Sequence, residues 1–339
     1  MEKNRVGLKE IAELSGMSVG NVSMVLRGLG DEARISKASQ EKIQNAARQL
    51  NYKPNVYAKR LRMKADRMIV AVFFASSRHL SVMGAFFSGI HELLSGTGDM
   101  KPEITLYPYT QGQLDRMDSV IREECFNGAI FMGMSSEDMD YLETVRIDTP
   151  IVVFNRISKI HHYVYADNQN VGELAARLFS RAGDAGVCLV SGRKLSTAGR
   201  ERRDGFIGEC ARLGIPLPPE RILQVTPGYE GGREAAEAVA AFGDSCRAVF
   251  FSDDQMGISA LHELLIRGIR VPEQIKIICY NGSNSDMYSI PSLSNIRIPL
   301  EEISRDCLVL LDKAIRNPES GQMNIVHKPI LILRESTGA

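Results

Sequence analysis

His-Glu-Leu-Leu occurs twice, at residues 91–94 and 262–265, and each copy is half of a zinc-protease helix. Ser95 and Ile266 stand where the second histidine of HExxH is needed, so neither copy holds a metal. His161 and His162 are adjacent, point different ways on any regular backbone and are expected at the surface. Asp253 and Asp254 could in principle do acid–base work, but neighbours on one strand diverge to opposite faces. The chain has no GxGxxG, no GxxxxGK[ST] and no GxSxG, and its six cysteines are scattered without a CxxC pair. No catalytic, metal or cofactor site is therefore expected. The residues left with chemistry to do are those that bind.

Two elements near the start carry such residues. Leu8, Ile11 and Leu14 recur at helical spacing, and Gly16 suits the left-handed turn that ends a helix. Ser18 can cap a second helix, "SVGNVSMVL", with Val22, Val25 and Leu26 on its inner face. Ala12, Gly16 and Val22 have a mechanical reason to stand together. The small Ala permits a close crossing, Gly makes the turn, and Val seals the contact. This is the helix-turn-helix arrangement, whose second helix lies in the DNA major groove. A third helix, capped by Ser36, shows Ile43, Ala46, Ala47 and Leu50 on one face. Charge agrees with the pattern: residues 1–66 hold 13 Lys/Arg against 7 Asp/Glu, on a chain whose formal net charge is zero. A polyanion-binding head produces that imbalance, and so does a solvated basic terminus.

From residue 68 the texture changes. "MIVAVFF", "GAIFMG", "PIVVFN", "GVCLVSG", "AVFFSDD" and "IKIICYNG" read as buried parallel strands, separated by helical patterns such as "GREAAEAVAAF". The alternation implies an open, doubly wound parallel sheet with helices on both faces. "GIHELL" (89–94) and "ALHELL" (260–265) form a faint internal echo, as two similar lobes would. Ligands of open parallel sheets bind outside the carboxyl ends of the strands, and two facing lobes set those ends across a cleft. The chain is 44% hydrophobic and 24% charged and has no membrane-length apolar run. Its start shows no secretory signal, and scattered thiols suit a reducing compartment, so a cytoplasmic location is expected.

"LKEIAELSGMSVGNVS", "DEARISKASQEKIQNAARQLNYKPN" and "AKRLR", with later stretches along the whole chain, resemble the lactose/galactose repressor (LacI/GalR) family of bacterial transcription regulators. The resemblance implies an all-α helix-turn-helix head on an α/β body of two doubly wound parallel-sheet lobes, of periplasmic-binding-protein type. The head is expected over 1–54, a hinge helix over 55–66 and an effector-binding and dimerisation body over 67–339. Within the body the N-lobe is expected at about 67–163 and 296–324, and the C-lobe at about 164–295 and 325–339.

The same resemblance puts base reading on Val19 and Gly20, with Met24 one turn later, and a minor-groove wedge on Leu61, with Ala58 on the same face. Val and Met offer only apolar contact, best matched by thymine methyls. Ser18, Asn21 and Ser23 can hydrogen-bond phosphates or base edges. In "STAGRERRDGF" the effector-gripping residue is Arg202, whose planar fork suits adjacent hydroxyls or a carboxylate. Asp253 takes the ligand-facing position of a strand-then-Asn-Asp stretch, Asn281 that of a ligand Asp, and Asn155 a position where relatives often have Asp, with Arg156 following it. Phe74 could stack on a sugar face. Pro227 replaces an aromatic platform, for which Tyr229 is the nearby substitute.

These readings describe a ligand-responsive, sequence-specific transcriptional repressor. Its expected partners are palindromic double-stranded operator DNA, a saccharide-like effector and a second copy of the chain. A purine-type effector is the secondary option. The absence of leucine heptads beyond "LILRESTGA" favours a dimer over a tail-assembled tetramer. A free sugar-binding protein and a sugar-converting enzyme are the competing functions. The basic head counts against the first, the missing catalytic constellation against the second.

Overall fold

The computed structural model describes residues 8–26, 30–50, 68–76, 80–96, 101–123, 126–181, 183, 186–281 and 284–339. The chain divides into two units, Met1–Asp66 and Arg67–Ala339.

The first unit contains α1 (Leu8–Ser15), α2 (Val19–Leu26) and α3 (Lys37–Gln49). Ile11, Ala12, Val22, Val25, Ile43, Ala46 and Ala47 bury one small core between them. Gly16 takes φ +67°, and the Met17 amide bonds back to the Ala12 carbonyl at 3.1 Å, which closes the turn. Ser18 Oγ accepts from the Asn21 amide at 3.2 Å and Ser36 Oγ from the Ser39 amide at 3.3 Å, capping α2 and α3. Leu14, expected inside, is 50% exposed; Ala12 lies in the contact instead. A helix this short buries a narrow stripe, and the close crossing at Ala12 turns Leu14 outward.

The second unit has two six-stranded sheets. The first is built from β1 (Ile69–Ser76), β2 (Glu103–Thr110), β3 (Gly128–Met132), β4 (Ile151–Phe154), β5 (His162–Ala166) and β11 (Asn324–His327), in the order β11-β5-β4-β3-β1-β2. The second has β6 (Val187–Gly192), β7 (Ile222–Val225), β8 (Ala248–Phe251), β9 (Lys276–Tyr280), β10 (Ser294–Arg297) and β12 (Ile330–Ile332), in the order β12-β10-β9-β8-β6-β7. The orders are the same, so the duplication is one of topology. All pairings are parallel except β10 with β12, which is antiparallel.

The helices that matter here are α4 (Leu80–Ser95), α5 (Asp118–Glu123), α6 (Ser136–Thr144), α7 (Asn168–Arg181), α8 (Thr197–Leu213), α9 (Tyr229–Ala241), α10 (Asp254–Ile266) and α11 (Leu300–Arg316). The echoed His-Glu-Leu-Leu pieces lie in α4, after the first strand of one sheet, and in α10, after the third strand of the other. They are not equivalent positions, and the echo carries no duplication.

Three connections join the lobes: β5 to α7, β10 to α11 and β11 to β12. The boundaries expected at 163, 295 and 324 each fall inside a strand, and the crossings lie just after Ala166, Arg297 and His327. One hydrophobic cluster runs across them, with Val72, Phe86 and Leu311 from the first lobe and Val171, Phe206 and Phe250 from the second.

Helices α7 and α8 pack with their main chains in contact. A Cβ on Gly172 would lie 2.1 Å from the Arg202 carbonyl oxygen and 2.3 Å from the Phe206 nitrogen; one on Gly205 would lie 2.2 Å from the Gln169 carbonyl oxygen. These are backbone atoms and cannot step aside. Gly172→Ala is expected to cost about 1–3 kcal/mol by forcing the helices apart. Gly208→Ala, whose Cβ meets nothing within 4 Å, should be neutral or stabilising by up to about 1 kcal/mol. Chemical denaturation of the two variants checks the contrast.

Candidate functional site

In the head, the capped start of α2 leaves Ser18, Val19, Gly20 and Asn21 exposed, with Val19 43% accessible. Val22 and Val25 are buried on the opposite side, and Ser23 and Met24 are half-buried between the two faces. One short helix thus presents a smooth apolar and amide surface. Ala58 and Leu61, the expected wedge, lie outside the described residues.

In the body, side chains converge where the strands of both lobes end. Arg202, on α8, lays its guanidinium over the Tyr280 ring, 3.6 Å from the centroid. Its Nη1 donates to Asn168 Oδ1 at 2.6 Å, while its buried Nε has no hydrogen-bond partner among the described residues. Asn168 is held in turn by donating Nδ2 to the Ala166 carbonyl at 2.8 Å. Side-chain bonds also cross between the lobes: the Tyr165 hydroxyl donates to Glu201 Oε2 at 2.6 Å, and Arg200 Nη2 donates to Ser136 Oγ at 3.2 Å. Arg156 follows β4 and donates to the Asn155 and Met134 carbonyls at 2.7 and 3.3 Å. Burial and then the charge of Arg202 disfavour its charged form, with Glu201 opposing them. A crevice of about 270 Å³, lined by Arg156, Tyr165, Glu201 and Ser136 among others, opens beside this group.

Several expected ligand contacts have other duties. Asp253 caps α10, its Oδ1 accepting from the Gln255 and Met256 amides at 3.0 and 3.3 Å. Asp253 was expected to face ligand; in the structure its Oδ1 is claimed by a helix that starts at Asp254. Asn155 adopts φ +51°, and its Oδ1 accepts from the Ala166 amide at 3.1 Å, tying β4 to the end of β5. Asn281 ends β9 at φ +82°, with its amide bonded to the Ile296 carbonyl at 3.0 Å. Phe74 is packed against the hydrophobic core. Tyr229, the nearby substitute for an aromatic platform, is 55% exposed at the start of α9. His161 and His162 are half-buried rather than on the surface: His161 Nε2 contacts the Leu142 carbonyl, and His162 Nδ1 accepts from the Met323 amide.

Sequence reasoning missed Tyr165, Asn168, Tyr280 and Asp254. The first three meet Arg202 or its neighbours over long separations in the chain, which no local pattern carries. Asp254 had a signal: it is the first residue of a helix whose cap is Asp253. It is buried, and burial with the charges of Asp253 and Asp286 raises its pKa to about 6.

Residues 7–55 match the family described as bacterial regulatory proteins, lacI family, and residues 174–337 match the periplasmic binding protein-like domain. The chain carries a lacI-family helix-turn-helix domain followed by a periplasmic-binding-protein-like domain. It is similar along 98% of its length to a probable HTH-type transcriptional repressor, ExuR, of Bacillus subtilis (strain 168), at 28% identity over 98% of that protein. Its fold matches the transcriptional regulator CelR in complex with cellobiose, with TM-score 0.70, 23% identity, and coverage of 98% of this chain and 100% of that one. It also matches the lac repressor dimer bound to operator and the anti-inducer ONPF, with TM-score 0.70, 18% identity, and coverage of 99% and 100%. A chain with this head and body is a ligand-responsive DNA-binding transcription regulator and not an enzyme.

The buried Asp254 gives a signed expectation. Its pKa is raised on folding from 3.8 to about 6, so the folded state holds the proton more tightly. Stability therefore falls as pH rises from about 4 to about 6 and is lower above it by about 3 kcal/mol. Asp254→Asn should raise the melting temperature at pH 8, with the gain shrinking through pH 6 and gone near pH 4. Thermal unfolding across that range checks it.

Proposed function

We propose that this regulator is a cytoplasmic repressor that binds a palindromic operator as a homodimer and responds to a small polyhydroxylated effector held between its lobes. The observation that carries the effector reading is Arg202. It is stacked on Tyr280, bonded to Asn168, and left with a buried Nε–H that has no acceptor among the described residues. An unsatisfied buried donor costs about 1–3 kcal/mol, which a ligand oxygen would relieve. Tyr165 and Glu201, and Ser136 and Arg200, join the lobes beside it, so a ligand there would bias the lobe arrangement. Cellobiose on CelR and the operator-bound lac repressor dimer support the saccharide and operator readings by analogy.

A homodimer also gives cover to apolar side chains that the single chain exposes on its second lobe. Ile266 is 67%, Tyr288 77% and Ile290 86% exposed. Such residues are the kind that an isologous interface buries. Two paired heads would then face successive major grooves. DNA affinity changes only if effector binds the two body states unequally, and the coupling is reciprocal.

For base reading we assign Val19, Gly20 and Met24, assisted by Ser18, Asn21 and Ser23, with Ala58 and Leu61 as the minor-groove wedge. None of these supplies the Arg-to-guanine contact, so groove shape and phosphate contacts carry more of the specificity.

Two expected outcomes follow, both read by fluorescence anisotropy on operator-containing duplex. Arg202→Ala should abolish the response to effector while leaving effector-free DNA affinity within about twofold, since the substitution lies in the body. Loss of DNA binding with a normal response would contradict the assignment. Val19→Ala should change the ranking of operator variants by about 1 kcal/mol or more at the base pair it touches, and an unchanged ranking would contradict its role.

A further inference from the structure

Three consecutive residues of α8 take different partners around the cleft. Arg202 lies on Tyr280 and bonds to Asn168, both in the second lobe. Glu201 and Arg200 reach the first lobe instead, through the Tyr165 hydroxyl at 2.6 Å and Ser136 Oγ at 3.2 Å. The ends of these bonds are held by their own lobes. Arg200 is fixed from behind, Nη1 donating to the Leu195 carbonyl at 2.9 Å and Nη2 to the Thr197 hydroxyl at 3.1 Å. Ser136 opens α6, whose start is fixed reciprocally: Ser135 Oγ accepts from the Asp138 amide at 3.2 Å, and Asp138 Oδ2 from the Ser135 amide at 2.9 Å. Tyr165 is buried in β5, and Glu201 precedes the Arg202 carbonyl that packs on Gly172. A bond between two loose side chains is largely offset by the entropy of ordering them; here the ordering is done before the lobes meet.

The bond from Tyr165 to Glu201 is the stronger. A hydroxyl on a carboxylate makes a short bond, about twice as strong as one between neutral groups. Burial, with the bond to Glu201 adding to it, pushes the Tyr165 pKa up, so the hydroxyl keeps its proton and remains the donor. The mouth around these bonds is not packed. A crevice of about 270 Å³ runs beside them, with Ser136, Tyr165, Thr197 and Glu201 in its wall. Glu143 and Arg156, also in that wall, bond within the first lobe, to Ser158 and Lys159 and to the Asn155 and Met134 carbonyls. The apolar cluster shared by the lobes lies at the crossings instead.

We infer that Tyr165, Glu201, Arg200 and Ser136 form a latch that holds the lobes shut in the chain without effector. Arg200 and Glu201 are neighbours on one helix, so the lobes part only when both bonds break together. These are positioning residues for the ligand response. They set how often the cleft is shut before any ligand arrives, and a ligand that needs the shut form binds in proportion to that fraction. The inference concerns the effector-free chain and is independent of the effector's chemical class.

The test measures the lobe separation of the full-length chain with no ligand added. Spin labels are placed at Thr144→Cys, at the end of α6, and Glu237→Cys, on α9, both exposed positions. Cys125→Ser is the background, and the other five cysteines are buried. Unlabelled chain in excess removes distances between subunits, and electron–electron resonance reads those within one. The native sequence should give one narrow population. Tyr165→Phe, which keeps the ring, and Arg200→Met should each add a longer distance, raising the open-to-shut ratio about fivefold or more. Arg200→Lys should restore part of the loss. Glu201→Met combined with Tyr165→Phe should do no more than either alone, because both remove the same bond. Cooperative urea unfolding verifies that each variant is folded, and the exposed pair Arg200→Met and Ser136→Ala carries the test if the buried Tyr165 does not tolerate change. The inference is overturned if the native sequence already populates mainly the long distance, or if folded variants leave the distribution unchanged. Either result removes the latch alone, since duplex binding and the effector response are read separately by anisotropy.

Discussion

A guanidinium held in a cleft by neutral partners is the constraint around which this body is organised. Arg202 can lie flat on Tyr280 only because its own backbone is pinned where α8 crosses α7, with Gly172 and Gly205 bringing the two main chains into contact. The same α7 begins at Asn168, whose amide oxygen takes the Arg202 Nη1 hydrogen. Asn168 in turn lies two residues beyond Ala166, where the chain leaves the first lobe. Packing, site and crossing are therefore one piece of structure. A ligand that pulls on Arg202 pulls on a connection between the lobes.

The head answers a different problem, stability with few residues. Its core is one layer of small and branched side chains, and Gly16 and the Ser18 and Ser36 caps supply what so small a core cannot. Economy inside frees the outside of α2 for reading. That surface is unusually plain, with a valine and a glycine where directional hydrogen bonds could have stood; on the proposed assignment, specificity would depend more on how DNA bends and narrows than on its donor–acceptor pattern.

The sequence was most informative where burial is simplest. β1, β3, β4, β6, β8 and β9 are interior strands of their sheets, and each carries an apolar run. β2 and β7, at the sheet edges, mix exposed and buried positions and show no such run. The short strands β11 and β12 pair with β5 and β10 of their own sheets, partners that stand many residues earlier in the chain. Within the site, Arg202 was legible because its motif includes Gly205, whose need for close approach is physical. The cap at Asp253 was not legible, because one residue's difference in where a helix begins decides which aspartate caps and which is buried. Tyr165 and Asn168 became visible only when separated segments were brought together.

Amide hydrogen exchange on the full-length chain, with and without the small molecule that most raises its melting temperature, tests the central claim most directly. The account predicts slowed exchange around 165–168, 197–202, 254–256 and 280–281, the segments that surround Arg202. Protection confined to the opposite end of the second lobe, around the cavity of Gly186, Arg221 and Arg247, with no change near Arg202, would contradict it.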